Sequence, residues 1–272
     1  MRILLVVLAF ICAPAFAQQK EKEGVDVQKS RLLLLPASTV ERSAAQQYGQ
    51  LMRTASQKNL LNREPAQIER LHVIARALIP HSQRFNASSA KWQWEVNLIS
   101  SKSVNAFCMP GGKIAFFTGI IDQLQLTEDE IATIMGHEIG HALLEHGRAR
   151  MSEQVLKNVG ISVAAAVFNL GQISGELLAQ AANLAVSLPY ARRQESDADL
   201  VGLELAARAG YDPRAAVSVW HKMARLSKSG ARDARGQPPQ FLSTHPSHEN
   251  RIKEIEANLP RVLPLYRKKA DS

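Results

Sequence analysis

One stretch constrains this chain more than any other: Thr127 to Gly147, TEDEIATIMGHEIGHALLEHG. Thr127 followed three residues later by Glu130 is a capping box, the start signal of a helix. Glu128, Asp129 and Glu130 add negative charge at the positive end of the helix dipole. Ile131, Ile134, Met135, Ile139, Ala142 and Leu143 supply a core-facing surface, and Gly147 is a natural stop. Within this helix His137 and His141 stand four residues apart, so both imidazoles aim at one point. Glu138 is rotated by about 100° from His137 and reaches the side of that point. Buried His and Glu side chains need partners or cost several kcal/mol. Two zinc ligands with an adjacent base would account for all three residues.

Catalytic zinc takes three protein ligands and keeps one position open. His146 is the nearest candidate for the third. The extended pattern H-E-x-x-H-x-x-G-x-x-H, however, requires Gly at 144 and His at 147, where this chain has Leu144 and Gly147. His146 then reads as a histidine at a helix C-terminus, favoured by the dipole. A glutamate from a later helix is the other common solution. The stretch RRQESDADLVG offers Glu195, with Asp199 one turn further on to receive the second N–H of a liganding histidine. By spacing alone, a solvated acidic helix start fits that stretch equally well.

The remaining segments suggest a mainly helical α+β domain. Helical periodicity runs from Glu41 to Leu61, and Pro65 opens a second helix that ends before Pro80. KWQWEVNLIS alternates like a strand, and GGKIAFFTG is a second strand candidate. Further helices are expected over QESDADLVGLELAARAG, from Pro213 to Leu226, and from near Pro246 to about Leu259, with a Gly- and Pro-rich polar loop before the last. His72 and His81 belong to no metal-like cluster. The stretch 158–175 has no charged residue but holds two Asn, one Gln and several Gly. That favours a buried or lid-like helical segment within 148–190 over a membrane span.

The opening residues MRILLVVLAFICAPAFAQQK carry a positive start, a short apolar run and Ala15-Phe16-Ala17. This is a signal-peptide pattern with cleavage after Ala17, and it places the mature chain in the periplasm. Lipid anchoring at Cys12 is disfavoured because Ile11 is not small. The organisation expected is therefore a signal peptide over 1–17, a mobile lead-in over 18–40, one domain over 41–260 and a basic tail over 261–272. Removal of the signal leaves Cys108 alone among apolar residues, a small buried hydrophobe with no disulfide partner. The net charge of +8 does not imply nucleic acid here, since no basic stripe is interleaved with aromatics and the chain carries an export signal. The basic tail allows loose contact with anionic membrane surfaces.

HEIGH, then PYARRQESDAD, then STHPSHENRI, with NAFCMPGGKIAFFTGII ahead of them, resemble the zinc metallopeptidase family of the CAAX prenyl protease and HtpX, in particular its exported bacterial and mitochondrial members. The resemblance covers roughly residues 95–258. It implies a glutamate-zincin fold with a small sheet beside the catalytic helix. It also implies one Zn2+ per chain held by His137, His141 and Glu195, with Glu138 as catalytic base and Asp199 behind the ligands. His245, in STHP, would face the active site, stabilising an oxyanion or occupying the metal's open position at rest. Asn105 and the following strand would bind substrate backbone by strand addition. The activity implied is an exported metalloendopeptidase acting on misfolded or misassembled envelope proteins. The alternative is a chaperone-like envelope protein that retains a zinc site. Two departures from particular members are expected: from the transmembrane helices of HtpX-type members, and from the helical repeats that one exported member carries after the protease part.

Overall fold

Three short strands and a pair of closely packed helices position everything else. The computed structural model describes residues 24–30, 32–157, 191–231, 238–246 and 250–267. The signal-peptide pattern, the uncharged stretch 158–175 and His248 lie outside the described residues. In chain order the described elements are α1 (Ala37–Gln57), α2 (Pro65–Leu78), β1 (Glu95–Ile99), β2 (Ala106–Met109), β3 (Lys113–Phe117), α3 (Thr118–Leu124), α4 (Glu128–Leu143), α5 (146–157), α6 (Arg192–Arg208), α7 (Ala215–Lys228), α8 (Gln240–Thr244) and α9 (Arg251–Val262). Two 3-10 turns, Ile79–Arg84 and Ala87–Lys91, join α2 to β1. None of the described helices is long and apolar enough to cross a membrane.

The sheet order is β1-β3-β2, with β1 parallel and β2 antiparallel to β3. Gly111 and Gly112, at φ +85° and +79°, make the β2–β3 turn, because a residue with a Cβ is strained there. Pairing of Cys108 with Ile114 and of Ala106 with Phe116 sends these apolar side chains into the core shared with α2 and α4. On the sheet's other side α1 packs through Ala44, Tyr48, Met52 and Ala55. The Tyr48 hydroxyl donates to the Ile114 carbonyl at 2.5 Å and accepts from Asn97 Nδ2 at 3.0 Å, which fixes the helix against β1 and β3. The sheet leaves β2 packed against α4, with Cys108 buried and its thiol pKa pushed well up by burial.

Helix boundaries follow the sequence reading with informative differences. The capping box at α4 is present: Glu130 N–H donates to Thr127 Oγ1 at 3.3 Å, and Thr127 N–H to Glu130 Oε2 at 2.8 Å. Helix α4, however, ends at Leu143 instead of at Gly147. Glu145 takes φ +58°, and a new helix starts at once. α1 begins at Ala37, four residues earlier than the periodicity indicates, because Pro36 serves as its N-cap. α9 begins at Arg251, five residues later than Pro246. α8 occupies part of what reads as a polar loop. Within the expected lead-in, Val25 and Leu35 are buried, and Arg148 donates to the carbonyls of Leu33 and Leu35.

Candidate metal centre

The site exists because α4 and α6 touch at glycines. Gly136 and Gly140 face Ala198 and Gly202. A Cβ on Gly202 would lie 2.8 Å from the backbone N of His137, and one on Gly140 would lie 3.0 Å from the Ala198 carbonyl oxygen. No larger residue permits this approach without a backbone shift. Along the contact run His137 and His141 from α4 and Glu195 and Asp199 from α6, all buried. α8 ends at Thr244 and delivers His245 into the same space, held by its N–H to the Phe241 carbonyl at 2.8 Å. The Phe241 N–H in turn donates to the Val104 carbonyl, tying this helix to the entry of β2.

Four residues converge. Potential ligand atoms of His137, His141, Glu195 and His245 all lie within 4.8 Å of one another. His137 Nε2 is 3.0 Å from His141 Nε2 and 3.2 Å from His245 Nδ1. Glu195 Oε1 is 3.1 Å from His245 Nδ1 and 3.3 Å from His141 Nε2. His137 Nδ1 meets Asp199 Oδ1 at 2.9 Å, so its proton belongs there and its Nε2 presents a lone pair. Ring nitrogens and a carboxylate oxygen thus face one another across 3.0 to 3.3 Å. That donor set fits a cation, and two imidazoles with a carboxylate suit zinc.

Charge behind the cluster is equally organised. Burial works against protonating His137, but Asp199 and Glu195 outweigh it and raise its pKa. Burial drives His141 well below the usual histidine range despite Glu195. For Glu195 burial opposes ionisation, yet His245, His141 and Arg251 hold its carboxyl well below the ordinary value. Glu138 goes the other way: burial raises it, against the pull of His245 and His137. Its Oε1 accepts no hydrogen bond among the described residues and stands 3.4 Å from His245 Nε2.

Arg251 is the member that sequence reasoning missed. Fully buried at the start of α9, it donates to both Asp199 oxygens, at 2.5 and 2.9 Å. It also pairs with Glu195 Oε2 at 2.6 Å, and its guanidinium lies 3.6 Å over the Trp220 ring. The available signal was an arginine inside the STHPSHENRI block just before an apolar helix face. His146 was also misread. It does not end α4 but opens α5, where it is buried with its Nδ1 2.9 Å from His141 Nδ1. Asn105 is buried, accepts the Phe117 N–H through its carbonyl, and lines a cleft with Val40, Ala44, Phe107, Glu138 and His245. His72 and His81 lie apart from the cluster.

Residues 65–259 match the model of Peptidase family M48. Over 176 residues the chain is 38% identical to the mitochondrial metalloendopeptidase OMA1 of Arabidopsis thaliana, covering 64% of this chain and 34% of the relative. The corresponding figures for the mitochondrial metalloendopeptidase OMA1 of Schizosaccharomyces pombe are 35% over 171 residues, 62% and 48%. A beta-barrel assembly-enhancing protease of Yersinia pestis is 24% identical over 189 residues, 66% of this chain and 37% of the relative. The matched region is thus less than half the length of each of these curated relatives.

Proposed function

The chain belongs to peptidase family M48, and from that premise we propose that it is an exported zinc-dependent endopeptidase acting on misfolded or misassembled envelope proteins. The observation that carries the reading is the buried convergence of His137, His141, Glu195 and His245, with Glu138 beside it. His137, His141 and Glu195 are the residues that would hold the zinc. When bound, zinc supplies Lewis acidity, polarising the scissile carbonyl and making water acidic enough to attack near neutral pH.

The protein's own groups do the rest. Glu138, kept from easy ionisation by burial, takes the proton of the attacking water and passes it to the leaving amine. His245, with Nε2 3.4 Å from Glu138, donates to the developing oxyanion when its ring is turned toward substrate. Asp199 fixes the tautomer of His137, and Arg251 holds Asp199 and Glu195 in place. Asn105 and β2 lie along the cleft, where an extended substrate backbone can pair. Export is supported by the opening sequence pattern, and an envelope role by the beta-barrel assembly-enhancing relative.

The test compares wild type, Glu138→Gln and His245→Ala for metal content and for cleavage of an unfolded protein such as casein. Wild type and Glu138→Gln should each hold one zinc, with cleavage by the variant reduced about 10²- to 10⁴-fold. Equal turnover by Glu138→Gln overturns the protease reading. Rescue of an envelope defect by that variant would favour a chaperone-like protein instead. Faster cleavage by His245→Ala would assign His245 a latching role, and slower cleavage an oxyanion role. A mature chain beginning at Gln18 supports export, and one retaining Met1 contradicts it.

A further inference from the structure

The two histidines of α4 are backed by different chemistry. His137 Nδ1 faces a carboxylate, Asp199, at 2.9 Å. His141 Nδ1 faces an imidazole, His146, at 2.9 Å nitrogen to nitrogen. Two ring nitrogens at that distance share one proton. If Nε2 of His141 is to offer a lone pair to the cluster, the shared proton must sit on His141 Nδ1. His146 Nδ1 is then the acceptor, and the His146 proton is on its Nε2.

The backbone is arranged to bring His146 there. After Leu143 the helix breaks, Glu145 takes φ +58°, and α5 starts with His146 buried against the turn it has just left. The break is pinned from the N-terminal side. The Ser30 N–H donates to the Leu144 carbonyl at 3.3 Å. Arg148 pairs with Glu145 at 2.7 Å and donates to the carbonyls of Leu33 and Leu35. Ser152 Oγ accepts from the N–H groups of Leu34 and Leu35. A left-handed glutamate held by this many contacts is a position the fold maintains.

We propose that His146 is a positioning residue: its Nδ1 accepts the His141 Nδ1–H and so fixes Nε2 as the nitrogen that His141 turns to the metal. The proposal rests on the reading that His141 ligates a metal. It adds an imidazole acceptor where the other histidine faces the carboxylate of Asp199.

The experiment measures zinc affinity by competition with a chelating indicator, and the visible spectrum of the cobalt-substituted protein. His146→Phe keeps a ring and removes the acceptor. His146→Asn places Oδ1 where Nδ1 stands. Phe should weaken zinc binding about 10- to 100-fold and alter the cobalt bands, whereas Asn should restore most of both. Wild-type affinity in His146→Phe overturns the proposal, and so does an equal loss in the Phe and Asn variants, which would mean a packing role. Should His146→Phe fail to fold, His146→Leu, close to histidine in volume and without an acceptor, takes its place in the comparison. His141→Ala with undiminished zinc affinity would instead overturn the metal-site reading on which the proposal rests.

Discussion

Helix α6 carries two glutamates that solvent does not reach, Glu195 and Glu204, each 0% exposed. Glu204 accepts the Val25 N–H at 2.6 Å and the Arg208 Nε–H at 2.7 Å, and it pairs with Arg84. Cations and a backbone donor account for its charge, and both arginines reach water. Glu195 has one arginine and is otherwise surrounded by imidazole nitrogens that are bases themselves. Burial of a carboxylate is therefore no mark of a site. The partners decide: donors make a structural anchor, whereas an excess of lone pairs makes a place for a cation.

Substitutions at the two glutamates should break apart along that line. Glu195→Gln should lower zinc affinity by more than about 100-fold and abolish casein cleavage, exceeding the loss from substituting a residue behind the ligands. Zinc titration and a cleavage assay check it. Glu204→Gln should leave zinc affinity intact in the folded protein but cost about 1–3 kcal/mol in urea unfolding, because the buried Val25 N–H loses a charged acceptor while the two arginines can turn to water. Equal effects from the two substitutions would erase the distinction.

Gly202 lies between them and sharpens it. Gly202→Ala puts a methyl against the His137 backbone, so the helices must part, costing about 1–3 kcal/mol and weakening zinc binding together. A variant that lost stability and kept zinc affinity would show that the close approach serves packing alone.

Glu130 gives the smallest effect. Burial raises its pKa, but Lys222, Ser218 and the Thr127 N–H outweigh that and lower it. A depressed carboxyl stabilises the fold above its unfolded value and loses that contribution as pH falls through its folded value. The stability gap between wild type and Glu130→Gln should be about 1 kcal/mol near neutral pH and close as pH drops from about 5 to about 2. Thermal unfolding across that range checks it.

What the sequence made legible is local. The capping box, the i and i+4 histidines and the neighbouring glutamate depend on one helix's geometry, and α4 follows it. The family resemblance supplied His245 and decided for Glu195, which spacing had left open, since the two lie 104 and 54 residues after His141. Arg251, His146 as an acceptor, and the glycines between α4 and α6 were illegible for one reason. Each acquires its role from an element packed against it, and no period in the chain records that contact. The left-handed Glu145 hid the break after Leu143, because glutamate is not a residue that announces φ > 0.

The Arg251 clamp has a consequence for timing. Arg251 lies 114 residues after His137 and 52 after Asp199, so the pair of carboxylates on α6 stays without its buried counter-charge until that much more chain has been made. At about 5–20 residues per second, an interval of roughly 6–23 s separates the synthesis of the H-E-x-x-H helix from that of the residue that steadies it. A chain that stops short of Arg251 therefore holds both α4 histidines and both α6 carboxylates but lacks the cation that pairs with Asp199 and Glu195.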